Sequence, residues 1–148
     1  MKISAKGRYG LAAMSQLAMS YASDTPITII SISEKLGISK IYLEQVFSLL
    51  KRAKLVLSIK GSQGGYQLSH APKDITAYDV LSAIELSLVE ETASSTNGKV
   101  PALDEALDAA VFTPINDALK ETLQKVSLAD VLTETEKKRQ DESMMYFI

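Results

Sequence analysis

Two short amphipathic segments meet at Gly37, and the second runs without a break into a glycine-rich hairpin; few folds accommodate that order. In the first, "ITIISISEKLGIS", Ser31 is placed to cap a short helix, Glu34 completes a capping box three residues on, and Gly37 ends the helix. Ser39 then caps a second helix, "KIYLEQVFSLLKRA", with an apolar stripe of Leu43, Val46, Phe47 and Leu50. Two short helices about a glycine turn form the pattern of a helix-turn-helix. At ~100° per residue, Ile41, Glu44, Gln45, Ser48 and Arg52 project away from the stripe. This mixture of donors, acceptors and one aliphatic group suits base edges in a major groove, and it equally suits a solvated surface helix.

The hairpin, "LVLSIKGSQGGYQLS", alternates Leu57 and Ile59 with Ser58 and Lys60, then Tyr66 and Leu68 with Gln67 and Ser69. Its tip holds Gly61, Gly64 and Gly65, three of the chain's seven glycines. Glycine is costly in conformational entropy, so this concentration needs a reason. Either the glycines only satisfy the turn, or they let a backbone finger with Lys60 beside it approach a phosphate-lined groove; both can hold together. A helix-turn-helix followed by such a hairpin is a winged helix. Upstream, "GLAAMSQLAMSYA" puts Leu11, Met14, Leu17, Ala18 and Tyr21 on one helical face, stopped by Asp24, Thr25 and Pro26.

Downstream, Thr76 with Asp79 opens a helix carrying Val80, Leu81, Ile84 and Leu88. The polar stretch "EETASSTNGKVP" reads as a mobile loop. A long helix is expected from Ala102 to Val126, with Leu107, Val111, Ile115, Leu119 and Leu123 at every fourth position and Ala110 and Ala118 alongside. So long an apolar face exceeds what a small domain needs to cover itself, and a partner helix is expected on it. Pro114 should kink or divide it. Ser127 with Asp130 caps one more short helix ahead of the charged run "ETEKKRQDE" and the apolar end "MMYFI", which should dock on the chain or on a partner. The expected class is mainly α with a small β-hairpin: a winged helix-turn-helix over residues 1–86, then a loop, a long dimerisation helix and a tail over 87–148.

Charge divides along the same line. Residues 1–70 hold nine Lys/Arg against three Asp/Glu, and residues 71–148 hold seven against fifteen. Six surplus positive charges in one half and eight surplus negative in the other suggest that the first half meets an anion. The absence of cysteine excludes disulfides, thiol catalysis and cysteine-ligated metals. His70 is the single histidine, and with Ser69 and Ala71 around it no catalytic triad is recognisable, so an enzyme is not expected. The acidic pairs Glu90 and Glu91, and Asp104 and Glu105, read as solvated charge. No metal or cofactor is expected. The opening "MKISAKGRYG" lacks an apolar h-region and no apolar run reaches the roughly 20 residues of a membrane span, which points to the cytoplasm.

Four stretches, "KISAKGRYGL", "GISKIYLEQVFSLL", "LVLSIKGSQGGYQLS" and "DITAYDVLSAIE", together resemble the Rrf-two family of bacterial winged-helix transcription regulators. Nearly the whole chain is covered, and the branch most similar is the one that represses cysteine metabolism. The resemblance implies a homodimer paired through the long helices and reading successive half-sites of a palindromic operator in double-stranded DNA. It implies Lys6, Arg8, Tyr9 and Lys60 near the DNA backbone, with Gly61, Gly64 and Gly65 in the wing. Ser39, Tyr42, Glu44 and Gln45 fall at the exposed start of the recognition helix. Cluster-binding members carry three cysteines in the loop that is Leu88 to Leu103 here, and this chain has none, so cluster sensing does not carry over. What remains is a protein partner, which the resemblance makes O-acetylserine sulfhydrylase, or a different small-molecule signal. Lys54 stands where the family usually has glycine or asparagine, and Lys60 where arginine usually opens the wing, which disfavours a bidentate guanine contact there. The alternative to a DNA-binding repressor is a winged-helix module for protein contact.

Overall fold

The computed structural model describes residues 3–88 and 90–146. It bears out the mainly α class with one small hairpin. Helix α1 (Ala5–Met19) is followed by α2 (Ile29–Leu36), α3 (Lys40–Arg52), strands β1 (Val56–Ile59) and β2 (Gly65–Leu68), and α4 (Ala77–Ile84). After a loop come α5 (Pro101–Leu107), a π turn (Asp108–Phe112), α6 (Thr113–Gln124) and α7 (Leu128–Met145).

The core forms where α1, α3 and α4 pack on one another. The expected stripe of α3 is all inside: Leu43, Val46, Phe47 and Leu50 are fully buried, with Met14, Leu17, Ile32 and Val80 around them. Helix α1 begins earlier than its apolar pattern suggests, because the Ser4 hydroxyl caps it by accepting from the Gly7 N–H at 3.1 Å. Tyr21 falls beyond its end and is exposed. Helix α2 is capped by Thr28, which accepts from the Ser31 N–H at 3.1 Å, and not by Ser31 itself. Both hydroxyl residues suit a cap, and the upstream one wins because it lets Ile29 join the helix and pack on the core.

The second half ties back through α7 on α1, α6 on α4 and one backbone bridge. Thr76 and Ser127 form an antiparallel bridge, in which Ala77 N–H donates to the Val126 carbonyl at 2.8 Å and Leu128 N–H to the Ile75 carbonyl at 2.9 Å. Each bridge residue also heads a complete capping box, with Asp79 and Asp130 respectively. Leu128 is thereby carried into the core. The helix it opens is eighteen residues long, not short, and absorbs the charged run. Pairs such as Glu134–Lys138 (3.6 Å) along good helix formers sustain a helix that is polar nearly all round.

The long helix is divided next to Pro114: a π turn separates α5 from α6, and the proline stands in the first turn of α6. The π turn ahead of it absorbs the difficulty: Thr113 N–H reaches back five residues to the Asp108 carbonyl. A proline ring in a regular helix strikes the carbonyl four residues earlier, here that of Ala110, and a wider turn relieves that contact. The same turn sets the phase of the apolar ladder. Residues four apart drift about 40° per step on an α-helix, so Leu107 and Leu123 would face opposite sides. One extra residue in the turn takes back about 100° of the accumulated 160° and returns the ladder to one stripe.

Candidate nucleic-acid interface

With one side of α3 sealed in the core, its other side is fixed outward. Ile41, Glu44, Gln45, Ser48 and Arg52 are all exposed, as the spacing predicts. Ser39 caps the helix by accepting from the Tyr42 N–H at 3.4 Å. Glu44 lies 3.8 Å from the Lys40 ammonium in a solvated pair that holds neither side chain firmly. Lys6 closes a shallow concavity with Ile41, Glu44, Gln45, Ser48 and Leu49, so the first turn of α1 and the outward face of α3 line one surface. Tyr9 meets Tyr42 edge to face, with ring centroids 5.3 Å apart, which sets the spacing of those two helices. Arg8 is exposed beside them.

The first turn of α1 is also held from behind. Glu85, at the end of α4, accepts the Ser4 N–H at 2.7 Å, and a carboxylate there favours the helix start electrostatically. Nothing in the local sequence points to Glu85, because its partner lies 81 residues away.

The wing is pinned twice. Ile27 and Tyr66 exchange backbone hydrogen bonds of 3.0 and 2.8 Å, and the Tyr66 ring packs at 4.6 Å on Phe47 of α3. The packed face of the hairpin is set by the opposed pair Val56 and Leu68, while Leu57 and Ile59 stay exposed. These contacts explain much of the glycine cluster. A side chain on Gly64 would fall on the Ile59 carbonyl, and one on Gly65, at φ 148°, would lie 2.5 Å from the Ile27 carbonyl oxygen. Gly61 differs: it has φ 112° and only open space around it, at the exposed tip beside Lys60. The chain itself therefore requires all three, Gly64 and Gly65 for space and Gly61 for its backbone conformation, and Gly61 alone has the open space to approach another molecule.

Lys54 takes φ 62°, the left-handed conformation that side chains resist. It ends α3 in a Schellman motif, where Leu55 N–H donates to the Leu50 carbonyl and Lys54 N–H to the Lys51 carbonyl, both at 3.0 Å. That geometry accounts for glycine or asparagine being usual there. His70 is exposed with Nδ1 2.7 Å from the Ser69 hydroxyl.

The loop ahead of α5 closes on Asp104, which is more than solvated charge. Its carboxylate accepts from the Ser94 hydroxyl (2.6 Å), the Ser95 N–H (3.1 Å), and both the N–H (3.1 Å) and hydroxyl (2.8 Å) of Thr96. Donation from Ser94, then Thr96, holds the Asp104 carboxyl below its ordinary pKa. Among the described residues no group of three His, Cys, Asp or Glu gathers as metal ligands, and no helix is long and apolar enough to cross a membrane.

A recognition helix, a wing fixed to it and a basic helix start on one surface define a winged-helix DNA-binding regulator. Residues 3–134 match the family Rrf2, described as an iron-dependent transcriptional regulator, and the chain belongs to that family. CymR of Bacillus subtilis (strain 168) is 37% identical with both chains fully covered. IscR of Vibrio parahaemolyticus is 32% identical over 92% of this chain and 80% of its own. The solved structure of CymR, described as the global cysteine regulator of B. subtilis, matches with a TM-score of 0.74 at 36% identity, covering 90% of this chain and 98% of that one. The iron of the family description does not fit these residues. There is no thiolate to ligate a cluster, and Asp104 spends its carboxylate oxygens on the loop's own hydroxyls and amides.

Proposed function

We propose that this regulator is a cytoplasmic repressor that binds a palindromic operator as a homodimer and controls genes of sulfur and cysteine metabolism. The observation that carries the DNA reading is the outward face of α3, rigidly backed by the core and continuous with Lys6. Glu44 and Gln45 read base edges, with Ser39 and Tyr42 at the helix start. Lys6, Arg8, Tyr9, Lys60 and the Gly61 backbone meet phosphates, while Gly64 and Gly65 shape the wing. Enrichment of bound duplexes from a random pool tests this. A shared inverted repeat is expected, and binding without sequence preference refutes it. Glu44→Ala should relax discrimination at one position per half-site by about 1–3 kcal/mol.

The cysteine assignment draws support from the full-length likeness to CymR and the lack of cluster ligands. Its signal is a protein partner, O-acetylserine sulfhydrylase, that stabilises the DNA-bound dimer and leaves when its substrate accumulates. Such a partner must prefer the DNA-competent state, because equal affinity for both states shifts nothing. Docking surfaces are the acidic second half and the exposed Met144, Met145 and Tyr146; Phe147 lies outside the described residues. Operator titration with and without that enzyme decides it, and identical affinities in both arms reject the partner.

A further inference from the structure

We propose that Ile41 is a specificity-determining residue that reads the C5-methyl group of a thymine, an inference that rests on the DNA-binding reading above. Ile41 is 68% exposed, more than any other large apolar residue among the described residues up to Ile84. It is the second residue of α3, two residues after the cap Ser39, in the turn that enters a major groove first. The fold gains nothing from it there. The core stripe lies on the other side of the helix, and a β-branched residue is a poorer helix former than a polar straight-chain one.

Its surroundings are polar. Lys6, Glu44, Gln45 and Ser48 share its concavity, and each can address a phosphate or a hydrogen-bonding base edge. None can address the one apolar feature of the groove, the thymine methyl, and Ile41 supplies what they lack. Residues three and four apart on a helix lie about 5–6 Å from one another. Base pairs stack about 3.4 Å apart along a strand. The thymine is therefore placed within two base pairs of the position read by Glu44, in each half-site.

The test uses the full-length protein and a duplex enriched by it from a random pool. Each thymine of the half-site is replaced in turn by uracil, which removes the methyl and keeps the pairing. One thymine within two base pairs of the Glu44-dependent position should lose about fourfold in affinity per half-site, the factor for withdrawing one methyl-sized group from apolar contact. With Ile41→Ala the same replacement should cost nothing. Ile41→Ser serves as a second variant, and since the side chain is exposed, both should melt at the wild-type temperature. Sequence-selective binding with no uracil penalty near that position, or a penalty unchanged in Ile41→Ala and Ile41→Ser, overturns the assignment to Ile41. Failure to enrich any sequence overturns the underlying DNA reading instead.

Discussion

Helix α3 and the α5–α6 segment each carry an apolar row at helical spacing, yet the two rows end in different surroundings. All four stripe residues of α3 are fully buried. On α5–α6, Val111 and Ile115 are 39% and 60% exposed, and Leu107, Leu119 and Leu123 are only half-buried. Helix α3 is flanked by α1, α2, α4 and the wing, whereas α6 rests on α4, where Lys120 sits 5.6 Å over the Tyr78 ring. Of the buried apolar residues described, only Leu128 lies beyond Ile84. The difference teaches that one chain finishes the first row and leaves the second open. On the proposed reading, a second copy finishes it.

The largest effect expected is in the finished row. Phe47→Ala should lower unfolding stability by about 3–5 kcal/mol, measured by denaturant melts, because it empties the space between the core and Tyr66. Ile115→Asp is its counterpart in the open row. It should leave the fold of one chain intact and weaken self-association by about 3 kcal/mol or more, read by sedimentation. Wild-type protein sedimenting as a monomer at micromolar concentration would break the comparison. Glu85→Ala should cost about 1 kcal/mol and weaken binding to all DNA sequences alike, since it frees the first turn of α1 without touching the base-reading face. Lys54→Gly runs the other way, stabilising by about 1 kcal/mol through relief of the left-handed backbone. A null result there would mean that the Schellman geometry relaxes around lysine at no cost.

What the sequence disclosed follows from how local each signal is. The α3 stripe, its Ser39 cap, the Thr76 and Ser127 capping boxes and the hairpin tip are each written within a few residues, and the structure has them all. The outward face of α3 was legible for the same reason. Glu85 and the Asp104 closure were not, because each depends on a partner brought near by the fold. The reach of α7 was hidden because its stability lies in charge pairs and propensity, which leave no apolar period to read. The π turn was hidden too. The four-residue spacing of the ladder, too wide for a straight α-helix, is its trace, but in the sequence that spacing also fits a regular helix interrupted by proline.

That turn makes the ladder tolerant of one particular length change. Deleting one residue between Asp108 and Phe112 would restore regular winding there, and one residue fewer on a regular helix turns through about the same angle as the present stretch with its wide turn. The two ends of the row would still share a side. What would be lost is the relief at Pro114, whose ring would again meet the carbonyl four residues back. Lineages descending from such a chain should therefore lose the extra residue and the proline together, while a second deletion would swing one end of the row past the other by about 100°.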